Sequence, residues 1–398
     1  MNILLINHYG SSPTLNRTMR SFELAKSLVG SGHHVEFVIG GNNPSLGTDK
    51  QLYKGSRIWG EEGVKMLLLG LLYHTPKNRI LRFISWFQFA TKILLLPSKL
   101  SQKPDVIIFS SLSLPGVLSS LILARYYGAR HVFEVRDIWP LTMQRLLNLG
   151  RYNPIVMVLS IIEWLGYRYS DLIVTSMPGG HQWVRQKMGS NHKKTAWIPN
   201  GVDLSRFKSL SSVSVIAENI KIIYLGSIGQ ANSVITLVKA AEILCGHEKF
   251  SFEIYGDGPE CQNLKDYVGQ KQLNNIYFGG NVDQSRVSDI LHSADILFHG
   301  SNDSELYSFG ISPNKLSEYM ASGRPILNAY SGGFDPISEG NSGLTSNAGD
   351  STALASNILK LAEDPDLRIE LGSCALQQAR DYSYESINMK YLELIKSL

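Results

Sequence analysis

Cysteine is scarce in this sequence, and no paired-cysteine or metal-binding motif occurs. The three cysteines, Cys245, Cys261 and Cys374, are scattered over 398 residues without a CxxC pair. A disulfide framework and a cysteine zinc site are therefore excluded, and a reducing compartment is expected. No HExxH motif is present, and the single Asp-x-Asp, Asp364-Pro-Asp366, is typical of a turn. We expect no metal cofactor.

The chain also has no long apolar run. None reaches the ~20 residues that a membrane-spanning helix requires. The opening MNILLINHYG has no basic segment ahead of its apolar residues, so it predicts a first strand rather than a signal peptide. With 43% hydrophobic and 18% charged residues, the chain can bury a large core, which excludes a disordered or low-complexity protein. At about 150 residues per domain, the length indicates two domains or one large one.

Acidic residues are few in the first half of the chain. Residues 1–208 contain 25 Lys and Arg against 11 Asp and Glu, a net charge of +14, whereas residues 209–398 carry a net charge of −10. An uneven solvated surface is one explanation. A basic half also suits an anionic partner, which is a membrane, a nucleic acid or a phosphorylated substrate. Nucleic acid is disfavoured because no nucleic-acid-binding motif accompanies the charge.

Residues 64–100 combine apolar and basic side chains and contain no acid. From Ile80 the apolar residues recur at helical spacing and include Trp86, a pattern that suits the lipid interface. Core helices flanked by solvated lysines are the alternative. The basic residues of the stretch are Lys65, Lys77, Arg79, Arg82, Lys92 and Lys99. We expect this stretch to dock the protein peripherally on an anionic bilayer.

Short apolar runs alternate with helical patterns along the whole chain. The first half contains NILLIN, HHVEFVIG, PDVIIFSS, ARHVFEVRD and DLIVTS, and the second contains IKIIYLG, FSFEIYG, NNIYFGG and ADILFHG. Such alternation predicts an α/β fold with parallel sheets covered by helices on both faces. We predict domains at residues 1–205 and 220–378, a serine-rich linker at 206–219, and a C-terminal helix at 379–398 that packs toward the first domain. The expected site is the cleft at the carboxyl ends of the strands.

The segment FGISPNKLSEYMASGRPI, residues 309–326, is the most informative part of the chain. Ser312 is placed as a helix N-cap and Pro313 at the first helical position. The predicted helix runs to about Ala321 and stops before Gly323. An ordinarily capped surface helix is the alternative to a functional one.

This helix start has the features of an anion site. Free backbone N–H groups and the helix dipole favour a negative ligand, and Lys315 adds a positive charge. Glu318 follows Asn314 by one helical turn, where it can reach the hydroxyls of a ligand. Gly310 and Ile311 belong to the loop that enters the helix.

Three other loops follow predicted strands and carry candidate residues. Gly256 and Gly258 allow close approach of a ligand, although the missing third glycine excludes a dinucleotide fingerprint and a tight structural turn explains the pair equally well. In the first half, Gly10 and Ser11 can present N–H and hydroxyl donors. The charged pair Arg136 and Asp137 ends another strand, where function or local ion pairing would explain it.

In this order and spacing, the motifs resemble those of bacterial family-4 glycosyltransferases with the GT-B fold, over nearly the whole chain. The resemblance rests on HYGSSP, RYSDLIVTS, WIPNGVDLSRF, YLGSIGQ, YGDGPE, NIYFGG, SADILF and SPNKLSEYMASGRPIL. EVRDIWP and GISPNKLSEYM are most similar to the subgroup that builds O-antigen and capsule polysaccharide, including fucosamine-type transferases. The implied architecture is two Rossmann-like, doubly wound parallel-sheet domains that face a central cleft.

The resemblance implies a metal-independent, retaining transfer from a nucleotide sugar to an acceptor. The donor would bind mainly to the C-terminal domain and the acceptor to the N-terminal one. A UDP-sugar is favoured, with N-acetylated amino sugars among the donors. The acceptor implied is a lipid-linked saccharide in lipopolysaccharide or capsule synthesis, at the inner face of the bacterial plasma membrane.

The resemblance also assigns roles to residues of the C-terminal domain. Glu318 matches the second glutamate of the family's paired motif, which holds the ribose of the nucleotide. Gly310 stands where the first glutamate is expected, so Glu305 or backbone groups must replace it. The remaining donor-site matches are Gly226, Ser227, Gly256, Gly258, Ile311, Ser312 and Asn314.

The chain departs from the family pattern in its positive charges. Residues 226–232 lack the basic pair that many members carry, and Arg136 stands where relatives often have histidine before aspartate. Neutralisation of the donor phosphates therefore rests on Lys315, with Arg136 or Arg17 as further candidates. Asp137 would orient the acceptor or act as a base.

Two other functions fit parts of these observations. A nucleotide-sugar epimerase can use the same two-domain fold, but a soluble sugar nucleotide needs no membrane-suited stretch. A non-catalytic scaffold docked on the membrane would not need the phosphate-binding helix start. Fold analogy alone does not decide among them.

Overall fold

The computed structural model describes residues 1–15, 20–41, 55–72, 79–147, 149–189, 194–207 and 219–398. Arg17, Lys77 and most of the predicted linker lie outside these residues. The chain divides into two compact units. Unit 1 comprises Met1–Pro199 and Tyr384–Leu398, and unit 2 comprises Asn200–Ser383. These boundaries differ by several residues from those predicted at 205 and 378.

Unit 1 is built on an eight-stranded sheet in which all neighbours pair in parallel except the hairpin at one edge. Its strands are β1 (Asn2–Asn7), β2 (His34–Gly40), β3 (Arg57–Glu61), β4 (Val64–Leu69), β5 (Val106–Ser110), β6 (Arg130–Val135), β7 (Leu172–Thr175) and β8 (Lys194–Trp197). Across the sheet the order is β3-β4-β2-β1-β5-β6-β7-β8. The antiparallel pair is β3 with β4. The five strands predicted in the first half are all present.

Because crossovers between parallel strands are right-handed as a rule, the helices of unit 1 lie on the two faces of this sheet. They are α1 (Arg20–Gly30), α2 (Arg79–Leu94), α3 (Gly116–Tyr127), α4 (Leu141–Leu147), α5 (Pro154–Tyr169) and α6 (Gly180–Met188). The chain crosses the sheet in one direction after β1 and in the other after β4, so α1 lies opposite α2, α3, α5 and α6. In agreement, α2 packs on α3, α3 on α5 and α5 on α6.

Local sequence explains where two of these helices begin and end. Pro154 occupies the first turn of α5, and the side chain of Asn153 caps it by accepting a hydrogen bond from the Ile155 amide at 3.0 Å. Helix α3 ends at Gly128, whose φ of 64° is left-handed and suits a residue without Cβ.

Residues 64–100, which the sequence predicts to dock on a bilayer, contain a buried strand and a helix, α2, that exposes Ile84 and Phe87. Val64–Leu69 is strand β4, whose apolar side chains are buried. Lys65 pairs with Glu36 at 3.0 Å, and Lys92 donates to the Gly70 carbonyl. An apolar run of this length fits a buried strand and a buried helix equally well. No helix among the described residues is long and apolar enough to cross a membrane.

Unit 2 contains a six-stranded, wholly parallel sheet. Its strands are β9 (Ile220–Leu225), β10 (Phe250–Tyr255), β11 (Ile276–Gly280), β12 (Ile296–Gly300), β13 (Ile326–Ala329) and β14 (Gly343–Ser346). Their order is β11-β10-β9-β12-β13-β14. The chain moves to one side of β9 first and then to the other, so the topological switch lies between β9 and β12. Ligands of such sheets bind at this point, outside the carboxyl ends of the strands.

The helices of unit 2 follow its strands in the expected alternation. They are α7 (Val234–Ile243), α8 (Cys261–Gln270), α9 (Val287–His292), α10 (Asn314–Ala321), α11 (Pro336–Glu339), α12 (Ser351–Glu363) and α13 (Pro365–Asp381). The Asp364-Pro-Asp366 segment starts α13, and the Asp364 side chain accepts a hydrogen bond from the Leu367 amide at 2.9 Å. This carboxylate is therefore a helix cap.

The chain returns to unit 1 with its last helix, α14 (Tyr384–Lys396). Ile387, Tyr391 and Ile395 are buried in the core of unit 1. Helix α14 packs on α1, and the Asn388 amide donates to the Glu23 carbonyl at 3.1 Å.

Candidate functional site

In unit 2, two backbone loops lie against each other where β9 and β10 end. The Gly226 amide donates to the Tyr255 carbonyl at 3.0 Å, and the Ile228 amide donates to the Asp257 carbonyl at 2.9 Å. These bonds hold the loop of residues 226–228 on the loop of residues 256–258. The result is a fixed backbone platform beside the topological switch of the sheet.

The glycines of this platform are required by the contact between the two loops. A Cβ at Gly256, where φ is 127°, would overlap the Gly226 carbonyl oxygen. A Cβ at Gly258 would overlap the Ile228 carbonyl oxygen. The sequence predicted that these glycines allow close approach of a ligand, and the close approach in the structure is that of the neighbouring loop. Ser227, in the loop of residues 226–228, is exposed, and its carbonyl oxygen accepts a hydrogen bond from the Tyr224 hydroxyl at 2.5 Å.

Lys315 reaches from α10 to this platform. Its Nζ donates to Asn232 Oδ1 at 2.6 Å and to the Tyr224 hydroxyl at 3.0 Å. The ammonium also lies 4.6 Å from the centre of the Tyr224 ring, in cation–π contact. Burial lowers the pKa of Lys315 to about 7. The Lys315 contacts named here, Tyr224 and Asn232, are both neutral. A bound anion would therefore give the amine a negatively charged partner.

Glu318 lies one turn further along α10 and faces Arg206. Arg206 Nη1 is 3.3 Å from Glu318 Oε1, and Arg206 Nη2 donates to the Gln284 carbonyl at 2.7 Å. Burial raises the pKa of Glu318, and the Arg206 charge counteracts this increase. The partly buried Glu318 carboxylate is thus paired with the Arg206 guanidinium, one helical turn from Lys315.

The start of α10 differs from the prediction in its cap. The helix begins at Asn314, Pro313 is the N-cap residue, and no side chain caps the turn. Ser312 lies one residue before the N-cap position, and its Oγ accepts a hydrogen bond from the Asn200 amide at 2.9 Å. The uncapped first turn leaves backbone N–H groups for an anion. The predicted end of the helix at Ala321 is confirmed.

The loop before α10 turns at Gly310. Its φ of 82° is left-handed, which explains a glycine at this position, and its neighbour Ile311 is partly buried. Glu305 lies in a short helix, residues 305–309, that precedes the turn.

A buried neutral histidine stands near the same strand ends. His299 lies at the end of β12, and its Nδ1 is 2.8 Å from Asn328 Oδ1. The Asn328 amide nitrogen donates to Asp335 at 2.8 Å, so its oxygen faces the histidine and Nδ1 carries the proton. Burial, aided by the nearby Lys315 charge, lowers the pKa of His299 to about 3. The imidazole is therefore uncharged at neutral pH.

In unit 1, three loops adjoin at the carboxyl ends of β1, β5 and β6. Asn7 is in register with Ser110, and Ser110 with Glu134. Gly10 packs on the sheet, where a Cβ would contact the ring of Phe37 closely. Ser11 is fully buried in the same loop.

The Arg136–Asp137 segment is held by its backbone. The Arg136 amide donates to Ser111 Oγ at 3.0 Å, and the Ser176 hydroxyl donates to the Arg136 carbonyl at 3.1 Å. Burial raises the pKa of the Asp137 carboxyl, and the Arg136 charge counteracts this. A carboxyl with a raised pKa suits proton transfer.

The structure thus groups the predicted residues by unit. Lys315, Glu318 and the glycines of residues 226–258 gather in unit 2, and Gly10, Ser11, Arg136 and Asp137 lie on adjoining loops of unit 1. The sequence missed Tyr224 and Asn232, which contact Lys315, and Arg206, which contacts Glu318. It also missed the buried His299 at the end of β12. Tyr224, Arg206 and His299 stand within the quoted runs YLGSIGQ, WIPNGVDLSRF and ADILFHG, but nothing in those runs indicates which residues they contact. The described residues contain no group of three His, Cys, Asp or Glu that would hold a metal.

Two family models match most of the chain. Residues 19–206 match the model described as Glycosyltransferase Family 4, and residues 219–364 match the model described as Glycosyl transferases group 1. An uncharacterised glycosyltransferase of Methanocaldococcus jannaschii is 26% identical over 207 residues, 50% of this chain and 50% of the relative. The N-acetyl-alpha-D-glucosaminyl L-malate synthase of Bacillus anthracis is 28% identical over 173 residues, 43% of this chain and 42% of the relative. The chain thus aligns with about half the length of these curated relatives or less.

Solved structures resemble the whole chain in fold. Anabaena HepE in complex with UDP has a TM-score of 0.72 and 17% identity, and the match covers 100% of both chains. The same protein has also been solved with UDP-glucose. The predicted α/β class and GT-B fold are confirmed.

Proposed function

We propose that this protein, a glycosyltransferase of the GT-B fold by the two family models that match most of its chain, moves a sugar from a nucleotide-diphosphate donor to a lipid-linked saccharide. The observation that carries the donor site is the pair Lys315 and Glu318, on successive turns of α10 beside the glycine platform. A UDP-sugar is favoured because HepE was solved with UDP and UDP-glucose. The name of the Bacillus relative supports an N-acetylated amino sugar as one candidate.

The chemistry follows from the charge of the leaving group. As the bond to the sugar breaks, negative charge grows on the departing phosphate oxygen. The Lys315 ammonium and the uncapped N–H groups of α10 would stabilise that charge. Glu318 would accept hydrogen bonds from the ribose hydroxyls. We assign the diphosphate to the helix start for this reason.

Retention of configuration and independence from metal complete the proposal. The acceptor would attack the face from which the nucleotide leaves, and the departing phosphate oxygen would take the acceptor's proton. In unit 1, Asp137 would orient the acceptor hydroxyl or, in place of the phosphate oxygen, take its proton, since burial raises the pKa of this carboxyl. Lys315 and the helix start would take the place that a divalent cation has in other transferases.

The proposed acceptor and the proposed membrane location are supported by the net charge of the first half of the chain and by one sequence motif. The net charge of +14 over residues 1–208 suits an anionic bilayer, and EVRDIWP resembles the subgroup that makes O-antigen and capsule. The protein would therefore work peripherally on the inner face of the plasma membrane, with a lipid-linked saccharide as acceptor.

A screen of nucleotide sugars by thermal shift tests the donor assignment. A ligand at a hundred times its Kd adds ~2.7 kcal/mol of stability, which is readily measured. The stabilising donor is then incubated with and without a lipid-linked acceptor, and the products are separated. Transfer that needs the acceptor supports the proposal. An epimerised donor formed without acceptor would identify an epimerase, and failure to bind any nucleotide would favour a scaffold.

A further inference from the structure

One face of unit 1 exposes apolar side chains from three neighbouring helices. Helices α2, α3 and α5 lie side by side on the same face of the sheet. Eleven of the 21 exposed large hydrophobic residues in the described part of the chain belong to them. We call this set the outer helical face: Ile84, Phe87, Leu94, Ile122, Tyr126, Ile155, Met157, Val158, Ile161, Trp164 and Tyr169.

Helix α5 contributes most of this face, and its outer side is apolar as well as its inner side. Val156, Leu159 and Ile162 are buried against the sheet. Val158 and Ile161 point away from it and are 49% and 58% exposed. Both sides of the helix are therefore hydrophobic, although only one has a partner within the described residues. Apolar side chains exposed together on neighbouring helices mark an interaction site.

The outer helical face presents no acid. The sequences of α2, α3 and α5 contain a single one, Glu163. Glu163 is 2% exposed and accepts hydrogen bonds from the Tyr167 hydroxyl and the Trp183 ring nitrogen, both at 2.9 Å. Arg125 and Arg168 are exposed at the C-terminal ends of α3 and α5. The face is thus apolar in its centre and positive at that end.

Arg125 and Arg168 share one aromatic ring. Their guanidinium carbons lie 5.5 Å and 5.7 Å from the centre of the Tyr169 ring. This arrangement fixes two cations next to an amphipathic phenol at the border of the apolar surface. Tyrosine and tryptophan favour the level of lipid headgroups, and guanidinium groups bind phosphate.

We propose that the outer helical face, rather than residues 64–100 as a whole, is the surface that docks on an anionic bilayer. The inference deepens the membrane part of the proposed function and rests on it. Apolar side chains of α2, α3 and α5 enter the interface, and Arg125 and Arg168 bind lipid phosphates. A second copy is the less suitable occupant, because it would bring an identical acid-free, positive surface against this one.

Vesicle sedimentation tests the assignment. Full-length protein is mixed with vesicles of phosphatidylcholine alone or of phosphatidylcholine with phosphatidylglycerol. Ile161→Glu should reduce binding to the anionic vesicles about tenfold, from the lost burial of one isoleucine. The matched control is Ile243→Glu on α7, which changes an isoleucine that is 51% exposed in unit 2 and should bind like the wild type.

The charges are tested by a second pair of variants. The double variant Arg125→Glu with Arg168→Glu should lose about tenfold or more on anionic vesicles, because each basic residue near such a surface adds to binding. Arg286→Glu, an exposed arginine of unit 2, is the matched control. Transfer to a soluble acceptor analogue should stay unchanged in every variant, which separates docking from catalysis.

The outcomes distinguish this inference from the broader proposal. Wild-type protein that binds neither vesicle type refutes membrane docking and this assignment with it. Wild-type protein that binds anionic vesicles while Ile161→Glu and the double arginine variant bind equally well leaves peripheral docking intact and overturns the outer helical face. A dimer that Ile161→Glu dissociates, without vesicle binding, would assign the face to a second copy.

Discussion

Two side chains of α10 carry most of the donor-site proposal. Lys315→Ala and Glu318→Ala should each reduce kcat/KM about a hundredfold, since a lost charged contact in the transition state costs about 3 kcal/mol. The fold should remain, because both side chains reach outward from the helix to polar partners. Steady-state kinetics and circular dichroism measure the two quantities. Lys390→Ala, at an exposed lysine of α14, is the control, and near-normal kinetics in both α10 variants would contradict the donor site.

The pKa of Lys315 gives the donor site a pH dependence. Burial lowers it to about 7, so the free enzyme holds this charge below about pH 7 and loses it as the pH rises. If the charge binds diphosphate, kcat/KM for the donor should fall through the same range. Lys315→Arg should remove that fall, because arginine stays protonated. A pH profile that is the same in wild type and Lys315→Arg would exclude the amine as the titrating group.

The contacts of Lys315 and Glu318 show which features of the site could not be predicted from the sequence. Lys315 and Glu318 were predicted because they stand in one helix-start motif. Tyr224 and Asn232, the partners of Lys315, lie 91 and 83 positions away along the chain. Arg206 lies 112 positions from Glu318. Only the fold brings them together, and no local periodicity encodes such pairs. The cap predicted at Ser312 was wrong because the helix begins one residue later, with Pro313 as the N-cap, while the Ser312 hydroxyl contacts the distant Asn200.

At the scale of the element, the loop platform depends on Gly256. Gly256→Ala should displace the loop of residues 226–228, because the new Cβ meets the Gly226 carbonyl oxygen at a left-handed φ. We expect a loss of about 1–3 kcal/mol in unfolding free energy and weaker UDP binding. Chemical denaturation and calorimetry measure them. The matched control is Gly269→Ala on α8, where a Cβ meets nothing within 4 Å and should stabilise the helix by about 0.5–1 kcal/mol. Equal stability of the two variants would contradict the platform.

The elements that the sequence missed are short or lie at sheet edges. Strand β3 reads RIWGE and has little alternation because most of it is exposed. Strand β4 is followed by further apolar residues, so the sequence pattern does not show where the strand ends. Strands β13 and β14 have four residues each, and no prediction was made for them. Strands such as β1 were predicted because a short apolar run bounded by polar residues indicates a buried strand.

At the scale of the whole molecule, the proposed transfer should need no divalent cation. Within the described residues no acidic or histidine cluster of metal-binding composition occurs, and Asp364 caps a helix. Activity in excess chelator should equal activity without it, and added magnesium or manganese should change little. An assay with radiolabelled donor measures this. Loss of activity in chelator, restored by either ion, would mean that the phosphates are held by a metal and that Lys315 has another role.

The charge of the two parts of the chain predicts how docking responds to salt. Residues 1–208 carry +14 and residues 209–398 carry −10, so an anionic surface attracts the first part and repels the second. Screening shortens from about 10 Å at 0.1 M salt to about 3 Å at 1 M. Binding to anionic vesicles should therefore weaken steeply between these concentrations. Transfer to a soluble acceptor analogue should change little, since Lys315 lies in a partly buried site where salt screens less.

The same salt series separates the two forces at the outer helical face. Electrostatic attraction brings the protein to the bilayer, and burial of side chains such as Trp164 and Ile161 is insensitive to screening. We therefore expect the salt dependence to flatten to a residual level of binding at 1 M, and Ile161→Glu should lower that residual binding about tenfold. Ile243→Glu should retain it. Binding that vanishes completely at high salt in the wild type would mean that charge alone holds the protein and that the exposed apolar side chains do not enter the lipid.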